Sequence, residues 1–218
     1  MNFANSWCPP QNALFLVFWT LTVRAGIINH LDYIQGMGFD AVWISPVVAN
    51  TPRGYHGYWA QDLYRVNSNY GTADELRALS DALHARGMYL MVDIVANHMG
   101  GDISGISQLA PFNRPEQYHD CAGCPSDCNI HNFYTYPETE HCRLANLPDL
   151  NHQNAGVRAT LLDWAAELVA NYSVDGLRID TVPEVREIRP AGWVHERRRE
   201  RRRRRRRGSC RCGGCARV

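Results

Sequence analysis

The chain has 218 residues and a mass of 24.8 kDa, enough for one domain with a sizeable core. Its formal charge of +1 hides a division: residues 1–185 carry 9 of the 23 basic residues and 19 of the 22 acidic ones, net −10, whereas residues 186–218 carry 14 Arg against 3 Glu, net +11. That split excludes reading the chain as one uniform polymer: an ordinary acidic globular segment is followed by a tail with no apolar period from which to build a core.

ALFLVFWTLTV, residues 13–23, is an apolar run of 11, too short to span a bilayer, with no basic region before it and no clear small-residue cleavage site after it. A core strand, a damaged signal segment and mispredicted sequence all remain open for it, and no membrane association is expected. Ile27, Leu31 and Ile34 then recur at helical spacing until Gly36 and Gly38, and FDAVWIS reads as a buried strand. A long polar and aromatic loop follows, holding Tyr55, His56, Tyr58 and Trp59. In TADELRALSDALHARG, Thr72 is placed to cap a helix with Glu75 three residues on, Leu76, Leu79 and Leu83 share a face, and Gly87 is the stop. MYLMVDIV is the next strand. The stretch from about Ala96 to His152 is far longer than a strand-to-helix connection needs and predicts a small excursion of its own. A helix over 155–172 follows, with Val157, Leu161, Trp164 and Leu168 inward, and then the strand VDGLRID.

Side chains alternate along a strand, so Arg178 and Asp180 share one face while Leu177 and Ile179 take the other. An Arg beside an Asp keeps the carboxylate ionised, which suits a structural ion pair and is required of a carboxylate nucleophile. The surroundings favour chemistry. Helices alternating with strands imply a parallel sheet, and its strand ends collect the polar residues: Asp93, Asn97 and His98 after one strand, Asp180 at the end of another, the aromatic loop after a third. That is the arrangement of a (β/α)₈ barrel; a doubly wound sheet is disfavoured because no Gly-rich phosphate loop follows any strand. The tail, RRRERRRRRRR then GSCRCGGCARV, could be a phosphate-binding or import patch. No aromatic residue interleaves it and no amphipathic helix carries it, so a shifted reading frame or unrecognised intron is the preferred reading and no nucleic-acid partner is expected. The expected divisions are an aberrant segment over 1–25, the first part of the barrel over 26–95, the excursion over 96–152, a barrel helix and strand over 153–187, and the tail over 188–218.

GMGFDAVWISPV, YHGYWAQDLY, NYGTADELRALSDALHARGMYLMVDIVANHMG, LPDL and YSVDGLRIDTV together resemble the α-amylase family of glycoside hydrolases, most of all secreted fungal α-amylases, over about residues 26–185. The resemblance implies a partial TIM barrel with the excursion after its third strand, and retaining endo-hydrolysis of α-1,4-glucosidic bonds in starch and related glucans. It implies Asp180 as nucleophile with Arg178 holding it ionised, and His98, Tyr58 and Trp59 lining sugar subsites with Asp93 supporting that rim. Tyr faces suit stacking on a pyranose, and imidazole can hydrogen-bond a hydroxyl.

The same resemblance implies a structural Ca²⁺ held by oxygen donors: Asn97, Glu140, Asn151 and the carbonyl of Glu184. Asn151 stands where the family has Asp, which predicts weaker binding; Pro183 and Glu184 replace a usual Lys-His pair, which puts one outer subsite in doubt. A disulfide between Cys128 and Cys142 is implied, while Cys121 and Cys124 have no counterpart in the pattern. CAGCPSDC with Cys210, Cys212 and Cys215 fits no usual zinc spacing. The sequon at Asn171, with the cysteines, points to a secreted, monomeric glycoprotein. Retaining hydrolysis needs a second carboxyl as general acid, and the chain enters the Arg tract before the strand that carries it in the family, so the expectation for this chain is an inactive fragment. The alternatives are an α-glucosidase or transglycosylase, and a non-catalytic barrel that binds glucan or a partner.

Overall fold

The computed structural model describes residues 15–18 and 24–185; the tail and its expectations, and Cys8, Cys210, Cys212 and Cys215, lie outside them. In chain order come β1 (Phe15–Phe18), α1 (Arg24–Ile28), α2 (Leu31–Gly36), β2 (Ala41–Ile44), β3 (Val48–Asn50), β4 (Ala60–Val66), α3 (Ala73–His84) and β5 (Tyr89–Val95). The excursion contributes α4 (Tyr136–His141), and α5 (Ala155–Tyr172) leads into β6 (Gly176–Asp180). Strands β1, β2, β5 and β6 form one parallel sheet in that spatial order, so part of the N-terminal apolar run is a strand. The excursion follows the third of these strands, as expected. The architecture is a partial (β/α)₈ barrel; four parallel strands do not close it.

Strand alternation sorts the sheet into two faces. Val42, Ile44, Leu90 and Val92 are buried against Leu76, Leu79 and Leu83 of α3 and Val157, Leu161, Trp164 and Leu168 of α5, which make one core. The opposite face carries Trp43, Met91, Asp93, Arg178 and Asp180 and is the barrel interior. Helix α3 is held at its start by the predicted capping box: Thr72 Oγ1 accepts from Glu75 N at 3.2 Å and Glu75 Oε2 accepts from Thr72 N at 2.6 Å. Helix α5 is capped by Asn154, whose Oδ1 accepts from Gly156 N at 2.9 Å, and ends at Ser173 in the left-handed region.

Three expectations are revised. The single helix expected over Ile27–Ile34 is two, because the chain turns at Asn29–His30, where the His30 ring takes the Gly26 carbonyl at 2.6 Å; the apolar stripe Ile27, Leu31, Ile34 stays buried across the break. The aromatic loop after β2 is an antiparallel hairpin, β3 with β4, whose register shifts hid its alternation. The disulfides are Cys121–Cys128 and Cys124–Cys142, not Cys128–Cys142. Turns closed by Cys124 N to Cys121 O and Cys128 N to Pro125 O, with positive φ at Cys121, Gly123 and Cys128, coil CAGCPSDC back on itself. That brings Cys121 to Cys128, Cα to Cα 5.4 Å, and leaves Cys124 for Cys142 at 5.7 Å, both within bonding reach.

Trp164 fastens α5 to the hairpin: its indole N–H donates to the Leu63 carbonyl at 2.7 Å, and the ring is 2% exposed. Trp164→Phe orphans a buried carbonyl and leaves a small void, and is expected to cost about 1–3 kcal/mol. Urea unfolding checks this as a lower midpoint with unchanged slope.

Candidate active site

The C-terminal ends of β5 and β6 stand side by side, with Asp93 in register with Arg178 and Val95 with Asp180. The pairing gives Arg178 two anions. Its Nη1 donates to both Asp93 oxygens, at 3.1 and 3.0 Å, and also contacts Asp180 Oδ1. Burial opposes the guanidinium charge, but Asp93 and Asp180 together outweigh it and raise the Arg178 pKa, so the cation is permanent. The Asp93 side chain is 1% exposed against 23% for Asp180. Burial raises the Asp93 pKa even though Tyr58 O–H donates to its Oδ2 at 2.9 Å and Arg178 pairs with it. Burial, reinforced by Asp93, pushes the Tyr58 hydroxyl up in turn, so it stays a protonated donor.

The aromatic hairpin closes one side. His98 Nε2 donates to the Tyr58 carbonyl at 3.2 Å and Nδ1 accepts from Asn97 Nδ2 at 3.3 Å, which fixes the tautomer. Burial lowers its pKa to about 4, against smaller opposing contributions from Tyr58 and Asp180, so the ring is neutral at pH 7. Trp59 is half-buried; its backbone N–H donates to Asn50 Oδ1 at 2.7 Å, and its ring meets His56 edge-on at 4.8 Å. Gly100 packs directly on this turn, since a Cβ there would lie 2.4 Å from the Trp59 backbone carbonyl. Tyr55 is 76% exposed on the same loop. Asp180, Arg178, Asp93, Tyr58 and His98 therefore converge, and Trp59 follows Tyr58 on the hairpin loop, its ring against His56. One residue escaped the sequence reading: Trp43 of β2, whose ring lies under Arg178, guanidinium carbon to centroid 5.3 Å. Its place on the Ser45 side of FDAVWIS was the available signal.

A second polar group lies behind the rim. Asn97 and Asp149 are 0% and 2% exposed, and Asn97 Oδ1 and Asp149 Oδ1 are buried with no hydrogen-bond partner. Burial pushes the Asp149 carboxyl up to about 6, against the pull of His119, whose Nδ1 donates to it at 2.6 Å, and a smaller one from the Asn97 side chain. Glu140 on α4 is buried, and α4 packs on the 3₁₀ turn Val182–Glu184, where Glu184 is buried with Oε2 unpartnered. Asn151, two residues beyond Asp149, accepts from Gln153 N through its Oδ1 at 2.9 Å in the turn leading into α5, and Asp149 lies beside Asn97. Among the described residues no three His, Cys, Asp or Glu side chains form a ready metal cage. Asn171 is exposed near the end of α5.

Chemically, the rim offers a partly exposed carboxylate at a strand end, backed by a fixed cation and flanked by aromatic and imidazole groups, as nucleophilic displacement at a sugar carbon requires. Parallel strands presenting such a carboxylate at their C-terminal edge define part of a (β/α)₈-barrel hydrolase site. Residues 23–207 match the alpha-amylase family model described as "Alpha amylase, catalytic domain", and the chain belongs to that family. It is 47% identical over 176 residues to Alpha-amylase 2 of Schwanniomyces occidentalis, covering 74% of this chain and 34% of that protein. It is 43% identical over 174 residues to the alpha-amylase of Saccharomycopsis fibuligera, covering 73% and 34%. The solved alpha-amylase of Malbranchea cinnamomea superimposes with a TM-score of 0.72 at 40% identity, covering 80% of this chain and 43% of that one. The chain thus spans about a third of the length of these two yeast relatives.

His98 supplies a pH test. Its folded pKa lies below its ordinary 6.5, so the folded state binds fewer protons than the unfolded one between pH 6.5 and about 4, and stability is lost as pH falls through that window. Asp149, raised to about 6, works in the opposite sense between about 6 and 3.8. Comparing wild type with His98→Asn isolates the histidine: their stability gap should narrow on acidification from pH 6.5 to 4, by up to about 3 kcal/mol. Urea midpoints across pH read it; a constant gap contradicts the buried neutral ring.

Proposed function

We propose that this chain carries the nucleophile-bearing part of an α-amylase that cleaves α-1,4-glucosidic bonds inside starch and related glucans with retention. The observation that carries this reading is the sharing of Arg178 between buried Asp93 and rim-facing Asp180 in a member of the alpha-amylase family. Asp180 attacks the anomeric carbon, Arg178 keeps the carboxylate aimed, and Tyr58 and His98 bind and orient the sugar beside it. Asp93 cannot serve as the acid, since it is buried and committed to Arg178 and Tyr58. Two disulfides in the excursion and the exposed sequon at Asn171 support export through an oxidising compartment, with the protein secreted and monomeric.

The buried oxygens of Asn97 and Asp149, near Glu140 and the Val182–Glu184 turn, fit a hard cation, and Ca²⁺ is the ion proposed. When bound it would supply the positive charge that buried carboxylate oxygens lack. Asn97, Asp149, Glu140 and Asn151 would hold it in this reading, with Glu184 adjacent.

Two outcomes are expected. Residues 24–185 joined to the remaining strand units of the Malbranchea cinnamomea enzyme should release reducing sugar from starch, and Asp180→Asn should abolish that. The 218-residue chain alone should not, because among its described residues no free carboxyl faces Asp180 to protonate the leaving oxygen, a contribution of about 10²–10⁴ in rate. Inactivity of the hybrid, or activity that survives Asp180→Asn, rejects the reading. Separately, Ca²⁺ at about 100 times its Kd should raise the Tm by roughly 5–10 °C over EDTA. Asp149→Asn should remove most of that rise and Asn151→Asp should increase it, because an added carboxylate strengthens attraction for the ion; equal Tm values with and without Ca²⁺ reject the site.

A further inference from the structure

Arg178 is fixed from two directions. Asp93 and Asp180 hold its Nη1, and the Trp43 ring lies beneath the guanidinium, 5.3 Å from guanidinium carbon to centroid. Trp43 is in register with Met91, and Met91 with Gly176, one layer below the Asp93 and Arg178 pair. Gly176 adds no side chain to that layer, so an indole rooted on β2 has room to reach beneath a residue on β6, two strands away.

We propose that Trp43 is a positioning residue for the reaction: its ring sets the plane of the Arg178 guanidinium so that one cation serves Asp93 and Asp180 together. This rests on the reading of Asp180 as the nucleophile. A guanidinium donates only in its own plane, and its faces are available for stacking on an aromatic ring. With the ring in place, the in-plane donors point at the two carboxylates. Without it, a long side chain that is 35% exposed regains rotamer freedom and can serve one carboxylate or turn to water. The other carboxylate then faces a like charge with less compensation. Trp43 lies a layer below the rim, out of reach of a sugar there, so its loss should affect the chemical step more than binding.

The test has two arms. In the 218-residue chain labelled with ¹⁵N-arginine, the Arg178 Nε–H signal, assigned by its loss in Arg178→Lys, should be displaced upfield by the indole ring current. Trp43→Leu should return it to the position of solvent-exposed arginines, and Trp43→Phe should keep part of the displacement. In the starch-cleaving hybrid, Trp43→Leu should lower kcat by about ten- to thirty-fold with KM changed less than about twofold, and Trp43→Phe should recover most of it. An Arg178 signal unmoved by Trp43→Leu in a folded chain overturns the proposal, as does an equal loss of kcat in the Leu and Phe variants. If Trp43→Leu fails to fold, Trp43→Phe decides alone: a partly reduced upfield shift supports the proposal, and an undisplaced or fully wild-type signal overturns it. A hybrid inactive before any change at Trp43 counts against the proposed function, and the spectroscopic arm still reads the contact.

Discussion

One cation shared by two carboxylates organises this molecule. Arg178 must stand in the barrel interior, where its charge is costly alone, and Asp93 in the same layer and Asp180 one layer above make it tolerable. The two carboxylates then diverge in character because their surroundings differ. Asp93 is sealed by the hairpin and by the Tyr58 hydroxyl, so it becomes a fixed structural partner; Asp180, at the strand end, keeps an exposed edge and the freedom to react. Removing Arg178 leaves the buried Asp93 without its cation, and removing Asp93 leaves Arg178 with Asp180 alone.

The rest of the fold can be understood as the means of holding that layer. Helices α3 and α5 bury one face of the sheet and set the register in which Asp93 meets Arg178. The hairpin after β2 carries Tyr58 across to Asp93, Gly100 allows the chain after β5 to lie directly on the Trp59 backbone, and His98 ties that turn back to Tyr58. Behind it, Asn97 and Asp149 lie side by side with buried oxygens, next to the rim through the adjacent residues Asn97 and His98, and Glu140 of the excursion is buried on α4.

Much of this was legible in the sequence wherever the information was local. Thr72 and Glu75 announce their capping box, the Leu and Val stripes give α3 and α5, and period two puts Arg178 and Asp180 on one face. What escaped depends on pairing between distant segments. Nothing in VDGLRID or MYLMVDIV reveals that Asp93 falls opposite Arg178, because register is a property of two strands together. Trp43 reads as one more apolar residue in FDAVWIS until Arg178 is seen above it. That Asp149 lies beside Asn97 likewise follows from the folding of the excursion and not from LPDLN by itself. With four cysteines in the excursion, spacing alone could not exclude the pairing that the coiled CAGCPSDC turn selects.

The most direct test of the claim that Arg178 arms Asp180 for attack uses an activated substrate whose leaving group needs no protonation. A 5-fluoro-α-glucosyl fluoride, offered to the hybrid barrel and analysed by peptide mass spectrometry, should leave one glycosyl unit esterified to the peptide bearing Asp180. The label should vanish in Asp180→Asn and form much more slowly in Arg178→Lys. A label on another carboxylate, or one that persists in Asp180→Asn, would contradict the account.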